Sequence, residues 1–153
     1  MNVPVSVDRL SVGSDLFGPV RAVMPERIEW YDSAMLSSAV GELRQVGSNI
    51  HTDPEYAKAE GFPDVNADGM ILTNWCSTML VDHFGIDYVE HGELRTKFIK
   101  PVYLRSIVHV RGRVLSIDAT DAGKRYSLDV WCEDENGVKV VDGDAKVEVR
   151  RRA

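Results

Sequence analysis

One run constrains this chain more than any other: GMILTNWCSTMLVDHFG, residues 69–85. Wound at 3.6 residues per turn, Met70, Ile71, Leu72, Trp75, Cys76, Met79, Leu80 and Phe84 occupy most of a helix's circumference. No charge interrupts the run before Asp82. A helix that is apolar nearly all round has no face to offer water, so other structure must enclose it. A bilayer is not the enclosure, because the uncharged stretch from Gly69 to Val81 is shorter and more polar than the roughly 20 apolar residues a span needs.

The enclosing material follows directly. After Gly85 the period changes from helical to alternating. GELRTKFIKPVY (92–103) reads as a strand in which Pro101 marks a bulge or an edge position. SIVHVRGRVLSI (106–117) sets Val108, Val110 and Val114 on one face, and KRYSLDVWCEDE (124–135) does the same with Tyr126, Leu128, Val130 and Cys132. Asn136-Gly137 signals a tight hairpin. In VKVVDGDAKVEVR (138–150), Val138 and Val140 share a face before Gly143, and Ala145, Val147 and Val149 alternate after it, so Gly143 is expected to mark a bulge. The fold class is α+β: an antiparallel sheet wrapped around a central apolar helix. Open edges of such a sheet invite pairing with a second copy.

The front half supplies shorter elements. Residues 1–18 read as an irregular lead-in and 19–24 as a short strand. Pro25 opens a helix over 25–39 whose stripe is Ile28, Tyr31, Met35 and Ala39. Asp32 lies inside that stripe, where a carboxylate requires a partner or a raised pKa. Residues 40–50 carry breakers at Gly41 and Gly47. In TDPEYAKAEG, Asp53 is the N-cap, Pro54 the first helical residue and Gly61 the stop. FPDVNAD is a loop before the central helix.

At 153 residues the chain is long enough for one domain, spanning 1–153, with a full core. Its formal charge of −6, from 18 Lys+Arg against 24 Asp+Glu, argues against nucleic acid as a partner. The two cysteines, Cys76 and Cys132, sit in apolar patterns and read as buried free thiols, which fits a reducing cytoplasm. The four histidines show no metal-ligand spacing, so no metal is expected. No basic segment followed by an apolar run opens the sequence, so neither a signal peptide nor a membrane partner is expected.

NIHTDPEYAKAEGFPDVNADGM (49–70) resembles the signature of MaoC-like (R)-specific enoyl-thioester hydratases and dehydratases. That signature runs roughly G-D-x-N-P-I-H-x-D-x-x-x-A-x-x-x-G-F, then a loop and a helix opening with G-M. Ile50, His51, Asp53, Ala57, Gly61, Phe62, Gly69 and Met70 match it in fixed register. GELRTKFIKPVYLRS (92–106) and DGDAKVEV (142–149) are similar to two of the family's strands, and the likeness spans roughly 15–150. The family's catalytic aspartate, five residues before the histidine, is Val46 here. The Asn and Pro three and two residues before the histidine are Ser48 and Asn49.

The resemblance implies a hotdog fold and the interconversion of trans-2-enoyl and (R)-3-hydroxyacyl thioesters, with His51 as catalytic acid/base. It implies the N–H of Gly69, at a helix start, as the oxyanion donor. Asp32, returned in space to His51, and Asn49, positioning the imidazole or a water, are the candidates to replace the missing carboxylate. Arg95, Lys97 and Lys100 are candidates for phosphates of the substrate carrier, or plain surface. Asp68 reads as a helix cap, and Trp75, Cys76 and Met79 as core. No cofactor is implied beyond the CoA or carrier-protein phosphopantetheine that the substrate brings. A homodimer or higher homo-oligomer is implied. Two other functions stay open: a hotdog thioesterase, directing water to the thioester carbon, and a non-catalytic acyl-binding subunit, which Val46 makes credible.

Overall fold

The structure, a computed structural model, describes residues 7–41 and 47–151, with the backbone alone for 35–40. Val46, Arg152 and the side chains of Met35 and Ala39 therefore lie outside the described residues. Five strands form one antiparallel sheet: β1 (Asp15–Ala22), β2 (Gly92–Phe98), β3 (Ile107–Ala119), β4 (Gly123–Glu133) and β5 (Lys139–Arg150), in the order β1-β3-β4-β5-β2. The helices are α1 (Pro25–Val40), α2 (Pro54–Ala59), α3 (Gly69–Phe84) and α4 (Ile86–His91).

The apolar run is α3, and it contacts all five strands. Ile71, Leu72, Trp75, Cys76, Met79, Leu80 and Phe84 are buried. Facing them are Leu16, Val108, Val110, Val114, Leu128, Val130, Cys132, Ala145 and Val147, all buried. The alternation of β3 and β4 is thus the inner face of the sheet, as their period requires. Cys76 and Cys132 are free and buried, their Sγ atoms 3.5 Å apart across the helix–sheet contact.

Two glycines let the helix seat closely. A Cβ on Gly18 would come within 2.9 Å of Met79 Cβ, and one on Gly112 within 2.9 Å of Met79 Cε. Gly18 also lies where β1 bulges, between Phe17 and Val20.

Four details differ from the sequence reading. The first strand begins at Asp15 rather than residue 19. A short helix, α4, follows Gly85 before the strands begin, and its buried Asp87 accepts the Arg150 N–H at 3.3 Å. Gly143 is in regular register, paired with Val130 and Thr96. The bulge falls three residues earlier, where Cys132 pairs with Val141 but Glu133 pairs with Lys139, leaving Val140 as the extra residue. That is why adjacent Val140 and Val141 are both buried. Gly143 is needed for a different reason: a Cβ there would run into the backbone carbonyl of Arg95 on β2. Finally, the Asn136-Gly137 hairpin is a loop of residues 134–138, tied by Asp134 Oδ1 to the N–H groups of Asn136 and Val138 and turned by Gly137 at φ +76°.

The edge placement of β2 agrees with its proline, since the strand stops at Phe98 and Pro101 lies beyond it. The segment past Phe98 stays attached through the N–H groups of Ile99 and Lys100, both directed to the Val140 carbonyl.

Candidate active site

His51 sits in a turn that its neighbours build. Asn49 Oδ1 accepts the N–H of His51 at 2.7 Å and of Thr52 at 3.0 Å, an Asx turn. Asp53 then caps α2, accepting the N–H groups of Glu55 and Tyr56 at 3.0 and 3.2 Å. Hydrogen bonds from Ser48 and these amides hold the Asp53 carboxyl below its ordinary range. Gly61, at φ +90°, ends the helix as expected, and the Phe62 N–H returns to the Ala57 carbonyl.

The loop before α3 is pinned on both sides. The Asn66 N–H donates to the Ile50 carbonyl at 3.2 Å, and the Ala67 N–H to the Val102 carbonyl at 2.8 Å. Val65, Asn66 and Ala67 are buried in consequence. This brings the Asn66 carbonyl 2.8 Å from His51 Nδ1. A carbonyl only accepts, so Nδ1 carries the proton and Nε2 is the unprotonated nitrogen of the neutral ring.

His51 lines a pocket of about 300 Å³ together with Phe62, Asn66, Gly69, Leu72, Phe98 and Lys100. Gly69 is the first residue of α3, and its N–H finds no acceptor among the described residues. Asp68 is the N-cap, and its carboxylate accepts the Met70 N–H at 2.7 Å, leaving the Gly69 N–H to the pocket end of the helix. The ring of Phe98 packs so closely on Gly69 that an added Cβ would lie 2.6 Å from it.

Asp32 is 8 % exposed on α1. Its Oδ2 accepts from Asn49 Nδ2 at 3.4 Å. Burial raises its carboxyl above the ordinary range, against the pull of the nearby His51 and the Asn49 amide, and Asp68 adds to the rise. The structure therefore brings Asp32, Asn49 and His51 into one cluster and places Gly69 and Lys100 at the same pocket as His51. Arg95 and Lys97 stand apart from it, exposed on β2 opposite Asp144 and Asp142. Trp75, Cys76 and Met79 are buried in the core.

Asn66 and Phe98 were not singled out from the sequence. Asn66 contributes a backbone carbonyl, which any residue type offers, so no letter of the sequence marks it. Phe98 was legible only as a strand residue. Among the described residues, no group of three or more His, Cys, Asp and Glu is placed to hold a metal ion, and no helix is long and apolar enough to cross a membrane.

A sheet curled around one apolar helix, with a tautomer-fixed histidine at that helix's N-terminal end, defines a hotdog-fold domain. The family model for the MaoC like domain matches residues 48–136, and the chain belongs to that family of hydratases and dehydratases. Solved structures agree on the fold. The MaoC-like dehydratase from Rhodospirillum rubrum superposes with a TM-score of 0.72 at 19% identity, covering 97% of this chain and 99% of that one. The (R)-hydratase from A. caviae involved in PHA biosynthesis gives 0.69 at 18%, covering 94% and 99%. The HadBC (3R-hydroxyacyl-ACP dehydratase) complex from Mycobacterium tuberculosis gives 0.65 at 18%, covering 89% and 95%. No curated protein matches the sequence.

Proposed function

We propose that the protein interconverts trans-2-enoyl and (R)-3-hydroxyacyl thioesters by adding or removing water. The observation that carries this reading is the His51 ring, tied through Nδ1 to the Asn66 carbonyl and so left with Nε2 unprotonated, in the lining of the pocket it shares with the N-terminus of α3. In the hydration direction Nε2 takes a proton from water as the oxygen bonds to the β carbon. The electron pair of the double bond moves toward the thioester carbonyl. The Gly69 N–H, aided by the dipole of α3, stabilises the charge gathering on that oxygen. The imidazolium then gives its proton to the α carbon, so one water is consumed and the ring returns to its starting state.

The walls fit an acyl group next to a polar end: Phe62, Leu72, Phe98, Ile99 and Val102 are apolar, and Lys100 brings a cation for a phosphate of the carrier. The carrier is CoA or a phosphopantetheine arm, which is part of the substrate, and no separate cofactor takes part. The setting is the cytoplasm, where the two buried thiols stay reduced. The working form is a homodimer or a larger assembly of this chain.

The test is incubation with crotonyl-CoA and longer enoyl-CoAs, following the enoyl absorbance and free thiol together. Loss of absorbance without thiol is the expected result. Thiol release makes the protein a thioesterase instead, and neither signal across the series makes it a non-catalytic acyl-binding subunit. His51→Ala is expected to lower the hydration rate about 10²–10⁴-fold, the worth of a positioned acid/base, with an unchanged unfolding midpoint. Full activity in that variant removes His51 from the mechanism.

A further inference from the structure

The aspartate that this family places five residues before its histidine is Val46 here, so the site needs its carboxylate from elsewhere or does without. Asp32 is the one buried carboxylate that reaches the His51 turn among the described residues. It comes from α1, and the connection is a single side chain. Asn49 Oδ1 is committed to the backbone N–H groups of His51 and Thr52, at 2.7 and 3.0 Å. That fixes which end of the amide is oxygen, and the other end, Nδ2, is left to face Asp32 Oδ2 at 3.4 Å. A purely structural turn needs only the Oδ1 half of this arrangement. The Nδ2 half, aimed at a buried carboxylate on an apolar helix face, adds nothing to the turn.

We propose that Asp32 is the positioning carboxylate of this site, acting on His51 through the Asn49 amide and so standing in for the acid missing at Val46. The proposal rests on the hydratase reading above for its catalytic meaning, and on the hydrogen-bond chain for its structural one. The Asn49 amide, held at both ends, fixes the backbone at His51 and with it the ring. The buried negative charge also offsets the positive charge the ring acquires when Nε2 takes a proton. The ionisable groups that face Asp32 are His51 from the turn, Asp68 from the start of α3 and Tyr31 beside it on α1. Asp68 opposes ionisation of Asp32 and His51 favours it, so the Asp32 carboxyl, raised overall by burial, loses its charge at a higher pH than an ordinary aspartate.

The test compares wild type with Asp32→Asn, which keeps the shape and an acceptor but removes the charge, and with Asn49→Ala, which keeps the charge but removes the link together with the Oδ1 acceptor of the turn. Two readouts are taken. In ¹⁵N,¹³C-labelled protein, the Asp32 carboxyl carbon should titrate above the ordinary aspartate range in wild type, and the Asn49 side-chain NH₂ and the His51 backbone N–H should show a step at that same midpoint. That step should be absent at both groups in Asp32→Asn, and absent at His51 in Asn49→Ala. In the crotonyl-CoA assay, Asp32→Asn should lower kcat about 10- to 100-fold, the worth of one charge-assisted hydrogen bond, with KM little changed. A step at the Asp32 midpoint persisting in Asp32→Asn, or wild-type kcat in that variant, overturns the proposal. A wild-type protein that hydrates nothing overturns the hydratase reading alone, and the titration still decides whether Asp32 is coupled to His51.

Discussion

At the scale of single residues, the candidate site is held by groups with no freedom to choose. His51 has one tautomer because its neighbour is a carbonyl, and that carbonyl is fixed because the Asn66 N–H is bonded to Ile50. Asp32 is the exception, a carboxylate kept where burial penalises its charge. The sign of its effect on stability follows from the direction of its shift. A carboxyl raised in the folded state binds its proton more tightly folded than unfolded. Stability is therefore greatest below the ordinary aspartate value of about 3.9, and falls as pH rises from there through the raised folded value. At neutral pH the whole penalty is present. Asp32→Asn carries no such penalty, so its melting temperature at pH 7 should exceed that of wild type by a few degrees. The gap should close on acidification below about pH 4. A residue kept for stability gives the opposite result, a lower melting temperature at pH 7. Gain in stability with loss of activity marks a residue retained for function.

At the scale of elements, close approach is what glycine provides here. Gly143 faces the backbone of β2, and the atom that a methyl would meet is the Arg95 carbonyl, part of a paired strand rather than a yielding side chain. Gly143→Ala should therefore destabilise the protein by about 1–3 kcal/mol or more, read from the urea midpoint. Gly47→Ala, with nothing within 4 Å, should stay within about 0.5 kcal/mol. An unchanged midpoint for Gly143→Ala would mean that β2 and β5 are not in this register. The same glycine shows what the sequence could and could not disclose. The central helix, the inner faces of β3 and β4 and the caps of α2 were legible because each is set by local period or by one residue's own chemistry: Asp53, Pro54 and Gly61 act within their own helix. The bulge at Val140 and the role of Gly143 were not, because both depend on which strand lies alongside. α4 was missed for a related reason: six residues carry too little period to show, and Asp87 acquires its partner only when β5 ends beside it. His51, Asn49 and Asp32 were legible as oddities of type and place. Their meeting depends on α1 and the turn packing together, which no spacing encodes.

At the scale of the whole molecule, the pocket lies where the sheet ends. Among the described residues β2 is an edge strand, bonded to β5 alone, and Phe98 at its end, with Ile99, Lys100, Pro101 and Val102 just past it, forms one wall of the pocket. Phe98, Ile99 and Met70 of α3 are all exposed large apolar side chains. An open backbone edge next to exposed apolar groups is the surface that a second copy covers at least cost, because strand pairing satisfies the edge while the apolar groups leave water together. A copy seated there lies against the mouth of the His51 pocket, which has an open side in the single chain. Assembly and activity should then be linked. Sedimentation over a dilution series should give twice the chain mass at micromolar concentration, and specific activity on crotonyl-CoA should fall in step with the dimer as it dissociates. Activity that stays constant while the mass halves would show that one chain holds a complete site, and that the exposed wall around Phe98 is closed by the substrate rather than by a partner.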